Sequence, residues 1–317
     1  MKKVLSLFDG VAGARQALKE LNIDCEYYAI EVDKFAISVA KGNHWDIDHL
    51  GPNNYICDVK DFLCKEWEEH PKEIQDIVDY TKHREMFVEN DVDLLIGGSP
   101  CQDLSIANKE RKGLQGERSG LFYEYLRILN EVKPKYFILE NVNSMAKTAK
   151  ETITKELFDI EPTMINSALV TAQQRKRLYW VGKLVDGKYR QVKIEQPEDK
   201  KIYLKDVIEH GDSQLVFACA QRGRNIVNGK RKDVKGAKTE QRFETSYSEK
   251  SNCLTKVQKD SLIVEDMIVR KLTPTECCRL QGFPDNYVSM VSKTQGYKAM
   301  GNGFTVPVIK HIIKSII

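Results

Sequence analysis

Short apolar runs in the first half of the chain have the length and composition of buried strands. They cover residues 4–8, 27–30, 92–96 and 136–142, and a further run ends near residue 57. A helical pattern follows the first run and ends near Leu21. Strands that alternate with helices predict an α/β fold built on a Rossmann-like sheet.

The pattern changes after residue 177. Residues 178–265 contain short alternating runs with glycines and charged residues between them, which predicts a smaller, mostly β lobe. Residues 271–284 have the pattern of an N-capped helix that ends at Gly-Phe-Pro. We therefore divide the chain into a first domain of residues 1–177, a β lobe of residues 178–266 and a C-terminal segment of residues 267–317.

Composition narrows the class of protein only modestly. A chain of 317 residues with 41% hydrophobic content can bury one large core and a smaller one. It contains no long apolar run or signal segment, so we expect a cytoplasmic protein without a membrane partner. The eight cysteines lack the spacing of a disulfide framework, and the adjacent pair Cys277-Cys278 gives little support to a metal site.

The segment Gly-Gly-Ser-Pro-Cys, residues 97–101, follows the strand predicted at 92–96. Open α/β sheets place their chemistry at the carboxyl ends of their strands. The glycines allow a tight turn and Pro100 restricts the backbone just before Cys101, so this thiol is a candidate nucleophile. The alternative is that Cys101 is a small buried hydrophobic residue, as most cysteines are.

Two further groups point to the same edge of the sheet. The strand predicted at 136–142 carries Glu140 near its carboxyl end. Arg175 and Arg177 occupy alternate positions, so their side chains point to one side if that segment is extended. A thiol, a carboxyl group and fixed cations at one edge indicate an active site.

The amino-terminal strand, glycine loop and helix resemble the opening of a nucleotide-binding fold. The loop contains Asp9, Gly10 and Gly13 but lacks the GxGxxG fingerprint of dinucleotide enzymes, which disfavours a nicotinamide dehydrogenase. Glu31 ends the second strand, about 20 residues after the glycine loop, where an acidic side chain can accept hydrogen bonds from ribose hydroxyls. Asp58 follows the third run at the same edge, and a helix N-cap is its alternative role.

The motifs PCQ, ENV and QxRxR, an early LFDG and a late LQGFP with GN occur in the order typical of DNA cytosine carbon-5 methyltransferases. The chain resembles that family from Leu5 to Val306, and its LSLFDG and SPCQDLS segments are similar to those of bacterial, phage and animal de novo members. The resemblance implies S-adenosylmethionine as the cofactor. It also implies that the carboxyl-terminal segment returns to the first domain, and Gly303 departs from the family's usual small-hydroxyl or alanine position.

Roles for individual residues follow from the resemblance. Phe8 would pack on the adenine, Glu31 would bind the ribose and Asp58 the amino group, and Asn302 would contact the cofactor. The predicted cofactor-binding residues are Phe8, Asp9, Gly10, Gly13, Glu31, Val32, Asp58, Pro100 and Asn302.

Cytosine chemistry assigns the catalytic roles, because carbon 5 is a poor nucleophile until a group adds at carbon 6. Cys101 would add there while Glu140 is protonated or hydrogen-bonds at ring nitrogen 3. Arg175 and Arg177 would hold the pyrimidine oxygen and the carboxylate. A stacked base is out of reach of these groups, so the target must be flipped out of double-stranded DNA.

The β lobe, residues 178–266, is interpreted as the target-recognition domain because of its position and its basic loop. The cations predicted to contact DNA are Arg222, Arg224, Lys230, Arg231 and Lys232. A solvated charge run is the alternative for these residues. A transfer-RNA cytosine methyltransferase of the same architecture and a catalytically silent DNA-binding relative are the alternative functions, and a cognate restriction endonuclease is a candidate partner.

Overall fold

The computed structural model describes residues 1–50, 87, 91–100, 120–209, 213, 215–227, 230–231, 239–255 and 261–317. Only the backbone is described at 226–227 and 230–231. Cys101, Asp58, Lys232 and the run predicted to end near residue 57 lie outside the described residues.

A central sheet of eight strands forms the larger part of the described chain, in the order β3-β2-β1-β4-β5-β7-β6 with β8 paired to β7. Neighbouring strands from β3 to β5 are parallel, whereas β7 runs antiparallel to both β5 and β8. The Rossmann-like α/β prediction is therefore confirmed. The strands are β1 Lys3–Leu7, β2 Glu26–Ile30, β3 Ile47–His49, β4 Leu94–Gly98, β5 Tyr136–Val142, β6 Thr163–Asn166, β7 Lys176–Val185 and β8 Lys188–Gln191.

The helices that accompany this sheet have amphipathic sequences with one buried stripe. In α3 the buried positions include Phe122, Tyr125 and Leu129, and the Tyr125 hydroxyl donates to the Ile138 carbonyl oxygen at 3.0 Å. This bond satisfies a buried hydroxyl and ties the helix to β5. The helices are α1 Gly13–Glu20, α2 Lys34–Asn43, α3 Leu121–Val132 and α4 Lys147–Glu156.

A second, four-stranded antiparallel sheet has the order β12-β9-β13-β14, and β10 and β11 form a separate small hairpin. The strands are β9 Val216–Arg224, β10 Ile226–Val227, β11 Lys230–Arg231, β12 Glu240–Thr245, β13 Leu262–Glu265 and β14 Ile268–Lys271. Three helices follow, α5 Pro274–Gln281, α6 Lys293–Asn302 and α7 Val306–Ile316. The start of α5 is as predicted, since Thr273 and Glu276 form a reciprocal capping box.

The chain divides into two compact units. Unit 1 comprises residues 1–165, 176–196 and 308–317, and unit 2 comprises residues 166–175 and 197–307. The boundary drawn after residue 177 differs from this division, because β7 and β8 continue the central sheet of unit 1. The buried run of β7, at residues 178–182, pairs along the whole of β5 and so belongs to the first core.

The predicted alternating run at 201–204 is also different in the structure. Its end forms a short 3-10 turn, Leu204–Asp206, in which the Asp206 side chain accepts from the Tyr203 amide at 2.7 Å. A local side-chain to backbone bond of this kind competes with strand pairing. Among the described residues, none of the helices combines the length and apolarity needed to cross a membrane.

Candidate active site

The carboxyl ends of β4 and β5 lie side by side and fix the residues that lead to Cys101. Gly98 pairs with Glu140 in the parallel ladder. Beyond it, the Asn141 amide donates to the Ser99 carbonyl oxygen at 3.3 Å and to the Ser99 hydroxyl at 3.1 Å. Asn141 and Ser99 are both buried. The turn is thus anchored to β5 two residues before the candidate nucleophile.

Sequence reasoning did not assign a role to Asn141. The ENV motif could have indicated such a role, because the side-chain amide of Asn141 directly follows the candidate carboxyl group on a strand that is predicted to be buried. Because side chains alternate across a strand, Glu140 and Asn141 face opposite sides, and a buried amide needs a polar partner. Ser99 supplies that partner.

Glu140 and Arg177 form an ion pair within unit 1. The Arg177 Nε lies 2.8 Å from the Glu140 Oε1, and the two side chains are 14% and 13% exposed. Arg177 also donates to the Lys176 carbonyl oxygen at 3.0 Å. Arg177 pairs with Val142 in the β5–β7 ladder, and Glu140 precedes Val142 by two residues on β5. The side chains of Arg177 and Glu140 therefore lie on the same face of the sheet. One of the two predicted cations therefore contacts the predicted catalytic carboxyl.

Arg175 has a different environment. Its guanidinium donates to the carbonyl oxygens of Leu254, Gly301 and Gly303 at 3.3, 3.3 and 3.1 Å, all within unit 2. β7 begins at Lys176, so the alternation that was expected to align both arginines does not extend to Arg175. The observed contacts hold the backbone on either side of Asn302, and a catalytic role for Arg175 stays a prediction.

The glycine loop after β1 contains left-handed residues at alternate positions, Phe8, Gly10 and Ala12, with φ of 56°, 60° and 61°. Such conformations are costly for residues with a side chain and persist only where the surroundings enforce them. The Asp9 amide donates to the Ile30 carbonyl oxygen at 3.2 Å, which ties the loop to the end of β2.

Glu31 braces this loop with its side chain. One carboxylate oxygen accepts from the Gly10 amide at 2.7 Å, and the other accepts from the Val32 and Asp33 amides at 2.8 Å each. Burial raises the pKa of Glu31, and these three amide donors oppose the rise. The carboxylate thus joins the loop to the turn that begins α2.

Asp9 points into the core of unit 1. One carboxyl oxygen accepts from the Ser6 and Tyr27 hydroxyls at 2.6 Å each, and the other has no hydrogen-bond partner among the described residues. Burial raises the pKa of Asp9 to about 6, and the nearby charge of Glu31 contributes. The Asp9 side chain therefore anchors the glycine loop to β1 and β2 through these hydrogen bonds.

Apolar side chains surround the same edge. Val32 is 56% exposed and Phe35 is 38% exposed, while Phe8 is half-buried against the core cluster of the central sheet. An exposed valine and a half-buried ring beside a carboxylate can accommodate a flat, apolar base attached to a sugar. Gly13, the first residue of α1, is buried.

A buried polar network in unit 2 positions the loop after Asn302, the last residue of α6. The Gln281 amide donates to the Met300 and Gly303 carbonyl oxygens at 2.6 and 3.1 Å. Its oxygen accepts from the Thr305 hydroxyl at 2.8 Å and from Gln173 at 3.1 Å. Gln281 is therefore a structural residue. Gln173 was missed, although it occupies the first position of the QxRxR motif.

Comparison with known proteins decides the family. The model of the C-5 cytosine-specific DNA methylases matches residues 2–317. The chain belongs to this family. The resemblance seen in its motifs is thereby confirmed, and the protein is a DNA (cytosine-5-)-methyltransferase.

Relatives agree with this assignment, and a solved structure shows a similar fold. The type II methyltransferase M1.ScrFI of Lactococcus lactis subsp. cremoris is 29% identical over 338 residues, with 99% of this chain and 78% of the relative covered. M.HhaI of Haemophilus parahaemolyticus is 25% identical, with 99% and 94% covered. The fold is similar to that of a Spodoptera frugiperda DNMT2 variant, with a TM-score of 0.63 at 19% identity, covering 100% of this chain and 99% of the other.

Four of the five cations predicted to contact DNA lie on β9 and β11 of the methylase, and Lys232 lies outside the described residues. Arg222 and Arg224 are on β9, and both guanidinium groups face the Glu244 carboxylate of β12. Lys230 and Arg231 form β11. Among the described residues, no cluster of three or more His, Cys, Asp or Glu side chains could hold a metal ion.

Proposed function

We propose that this methylase transfers a methyl group from S-adenosylmethionine to carbon 5 of cytosine in a specific sequence of double-stranded DNA, through a covalent adduct between Cys101 and a flipped-out base. The observation that carries the proposal is the Glu140–Arg177 pair beside the anchored Ser99. The carboxyl group and its fixed cation lie at the end of β5, the strand that neighbours β4, and the chain continues from β4 to the candidate nucleophile. Addition to a pyrimidine requires a nucleophile, a carboxyl group and a cation of this kind.

Cys101, Glu140 and Arg177 would take part in successive steps of the reaction. The Cys101 thiolate forms a bond to carbon 6, and the displaced electron pair is drawn toward ring nitrogen 3, where Glu140 is protonated or forms a hydrogen bond. Arg177 keeps the Glu140 carboxyl in place and stabilises the pyrimidine oxygen. Carbon 5 would then attack the methyl group of S-adenosylmethionine, whose sulfur would keep the electron pair of the broken bond and leave as a neutral thioether. A base would remove the carbon 5 proton, and the bond between the Cys101 sulfur and carbon 6 would break to restore the aromatic ring.

S-adenosylmethionine supplies an electrophilic methyl group when it is bound. The residues at the end of β2 fit it, because the Glu31 carboxylate retains acceptor capacity for ribose hydroxyls beside the exposed Val32 side chain. Phe8, Val32 and Pro100 would contact the adenine and the methionine moiety, and Gly10 and Gly13 would allow a close backbone approach. Asp58 and Asn302 would complete the contacts.

We also propose a division of labour along the chain. Unit 1, which includes β7, β8 and the returning residues 308–317, would supply catalysis and cofactor binding, and the four-stranded sheet of unit 2 would supply target recognition. Because the relatives named above are type II methyltransferases, a cognate restriction endonuclease is a candidate partner. The place of action would be the cytoplasm, at the DNA.

A direct assay tests the proposal. The purified protein is incubated with S-adenosylmethionine labelled at the methyl group and with a library of DNA duplexes, and separately with transfer RNA. We expect label in DNA as 5-methylcytosine within one sequence context. Label in transfer RNA alone, or label at another position of the base, would overturn the proposal.

The Glu140→Gln variant sharpens this assay. It keeps the shape of the side chain but removes the charge that pairs with Arg177, and we expect the rate of methyl transfer to fall about 100-fold or more. Glu151→Gln is the matched control, because Glu151 lies on α4 with a 59% exposed side chain, 3.6 Å from Lys147. That variant should keep the wild-type rate.

A further inference from the structure

The hairpin of β9 and β12 has two different faces. The strands pair at six positions, from Arg224 opposite Glu240 to Cys219 opposite Thr245. Within the described residues, β13 pairs with β9 only at residues 216–219. We define residues 220–224 and 240–244 as the ribbon, which in the described structure is two-stranded.

One face of the ribbon is charged and internally paired. Paired residues of an antiparallel ladder project to the same side, so Arg222, Arg224, Glu240, Arg242 and Glu244 share this face. Arg224 binds Glu244 through two nitrogens, one of them at 2.6 Å. Arg222 lies 3.6 Å from the same carboxylate, and Arg242 lies 2.9 Å from Glu240. The contacts of Arg222 and Arg224 with Glu244 link the two strands. Together with the Arg242–Glu240 contact within β12, they neutralise much of the positive charge.

The opposite face carries amides and an aromatic ring. Gln221 lies directly opposite Phe243, and Gly223 lies opposite Gln241. Phe243 is 58% exposed, and Gln241 is also exposed. No acidic or basic side chain is among these four residues. Such a face has hydrogen-bonding groups of both polarities and an apolar contact surface.

Gly223 permits the position of the Gln241 side chain. A Cβ atom at residue 223 would lie 2.9 Å from Gln241 Nε2 and 3.0 Å from the Thr239 hydroxyl oxygen. The Gln241 amide therefore lies across β9 where any larger residue would displace it.

We propose that the face formed by Gln221, Gln241 and Phe243 enters the major groove of the target DNA and that these three side chains determine the recognised sequence. The inference rests on the proposed function and deepens it. In this inference the face of Gln221, Gln241 and Phe243 contacts the bases. Arg222 and Arg224 stabilise the ribbon and attract the DNA phosphates.

The chemistry of the groove supports this occupant. The major groove of B-form DNA admits a two-stranded ribbon. A glutamine amide matches the N6 and N7 groups of adenine, and an aromatic ring contacts the methyl group of thymine. Both features lie on one A·T pair, and Gln221 and Phe243 are direct cross-strand neighbours. The recognised sequence should therefore contain at least one A·T pair.

Methylation of a randomised duplex library, read by bisulfite sequencing, tests the inference. For the wild type we expect a motif that includes an A·T pair. In Gln221→Ala or Gln241→Ala, discrimination at one such pair should fall about 10-fold to 100-fold. The salt dependence of DNA binding should stay the same, because no phosphate contact is lost.

Two further variants distinguish a loss of base recognition from a loss of stability. Gly223→Ala keeps both glutamines but displaces the Gln241 amide, so it should relax the same base position as Gln241→Ala while the unfolding midpoint changes little. Gln191→Ala replaces an exposed glutamine of β8 in unit 1 and should keep the full motif.

The outcomes distinguish this inference from the proposed function. If the wild type methylates a specific DNA sequence and the Gln221, Gln241 and Gly223 variants keep that sequence preference, the inference is overturned while the proposed function stands. A wild-type motif composed only of G·C pairs would also overturn it. If the wild type methylates no DNA, the proposed function is wrong and the inference falls with it.

Discussion

Replacement of Glu31 by alanine tests both the cofactor site and the architecture of the glycine loop. The change removes three accepted hydrogen bonds, from Gly10 at 2.7 Å and from Val32 and Asp33 at 2.8 Å. The Val32 amide lies near the surface and can bind water instead. The partly buried Gly10 amide loses its partner, and an unsatisfied buried donor costs about 1–3 kcal/mol.

An opposing effect reduces this loss. Burial raises the pKa of Glu31, so the folded state bears a desolvation cost for the charge, and alanine removes that cost. The net loss of folding free energy should therefore lie near the lower end, about 1 kcal/mol. In a chain of 317 residues that corresponds to a fall of about 1–2 °C in the unfolding midpoint.

The loss of cofactor affinity should be larger than the loss of stability. Glu31 has acceptor capacity for one more donor, and a charge-assisted hydrogen bond to a ribose hydroxyl contributes about 1.5–3 kcal/mol. Glu31→Ala should therefore weaken S-adenosylmethionine binding about 10-fold to 100-fold. Glu31→Gln should have an intermediate effect, because its NH2 group would face an amide donor of the loop.

Titration calorimetry with S-adenosylmethionine and thermal unfolding without it measure the two effects separately. Glu20→Ala is the control, since Glu20 forms its ion pair with Lys310 at 2.7 Å on the surface of unit 1. Unchanged cofactor affinity in Glu31→Ala would remove Glu31 from the site. An unchanged unfolding midpoint would refute its role as a brace of the loop.

Three other predictions concern the core and the active site. Arg177→Ala should slow methyl transfer about 100-fold or more in single-turnover assays with S-adenosylmethionine affinity unchanged, because it leaves the Glu140 carboxyl without its ion pair; equal rates would contradict the pairing. Gly182→Ala should destabilise the fold by about 1–3 kcal/mol in denaturant unfolding, because its Cβ would lie 2.2 Å from the Phe137 ring. Burial lowers the pKa of His49 to about 4, so its contribution to stability is present above about pH 6.5 and is lost as the pH falls toward 4. His49→Leu should flatten that part of the stability curve, and a slope equal to that of the wild type would refute the assignment.

The central sheet could be predicted from the sequence because its strands are buried on both faces. The run at 136–142 matches β5 residue for residue, since a continuous apolar stretch of that length has few other uses in an α/β protein. The β7 strand was assigned to the wrong lobe. Its pairing with β5 is a contact between distant segments, and local periodicity does not reveal it.

The candidate site could be predicted in part. The position of Glu140 followed from strand patterning, and its contact with Arg177 agrees with that placement. The different surroundings of Arg175 could not be predicted, because they depend on where β7 begins. The ion pairs of Glu244 with the ribbon arginines were also hidden, because the register of β9 against β12 sets them.

The identity of the nucleophile is the central claim, and covalent trapping on DNA tests it most directly. Duplexes that carry 5-fluorocytosine at the target are incubated with S-adenosylmethionine and the protein, because fluorine cannot leave carbon 5 as a proton does. Cys25→Ala is the control, since burial raises the pKa of the Cys25 thiol to about 11 and makes it a poor nucleophile. We predict a denaturation-resistant protein–DNA complex with the wild type and with Cys25→Ala, and none with Cys101→Ala. Trapping of Cys101→Ala, or normal methyl transfer by that variant, would contradict the account.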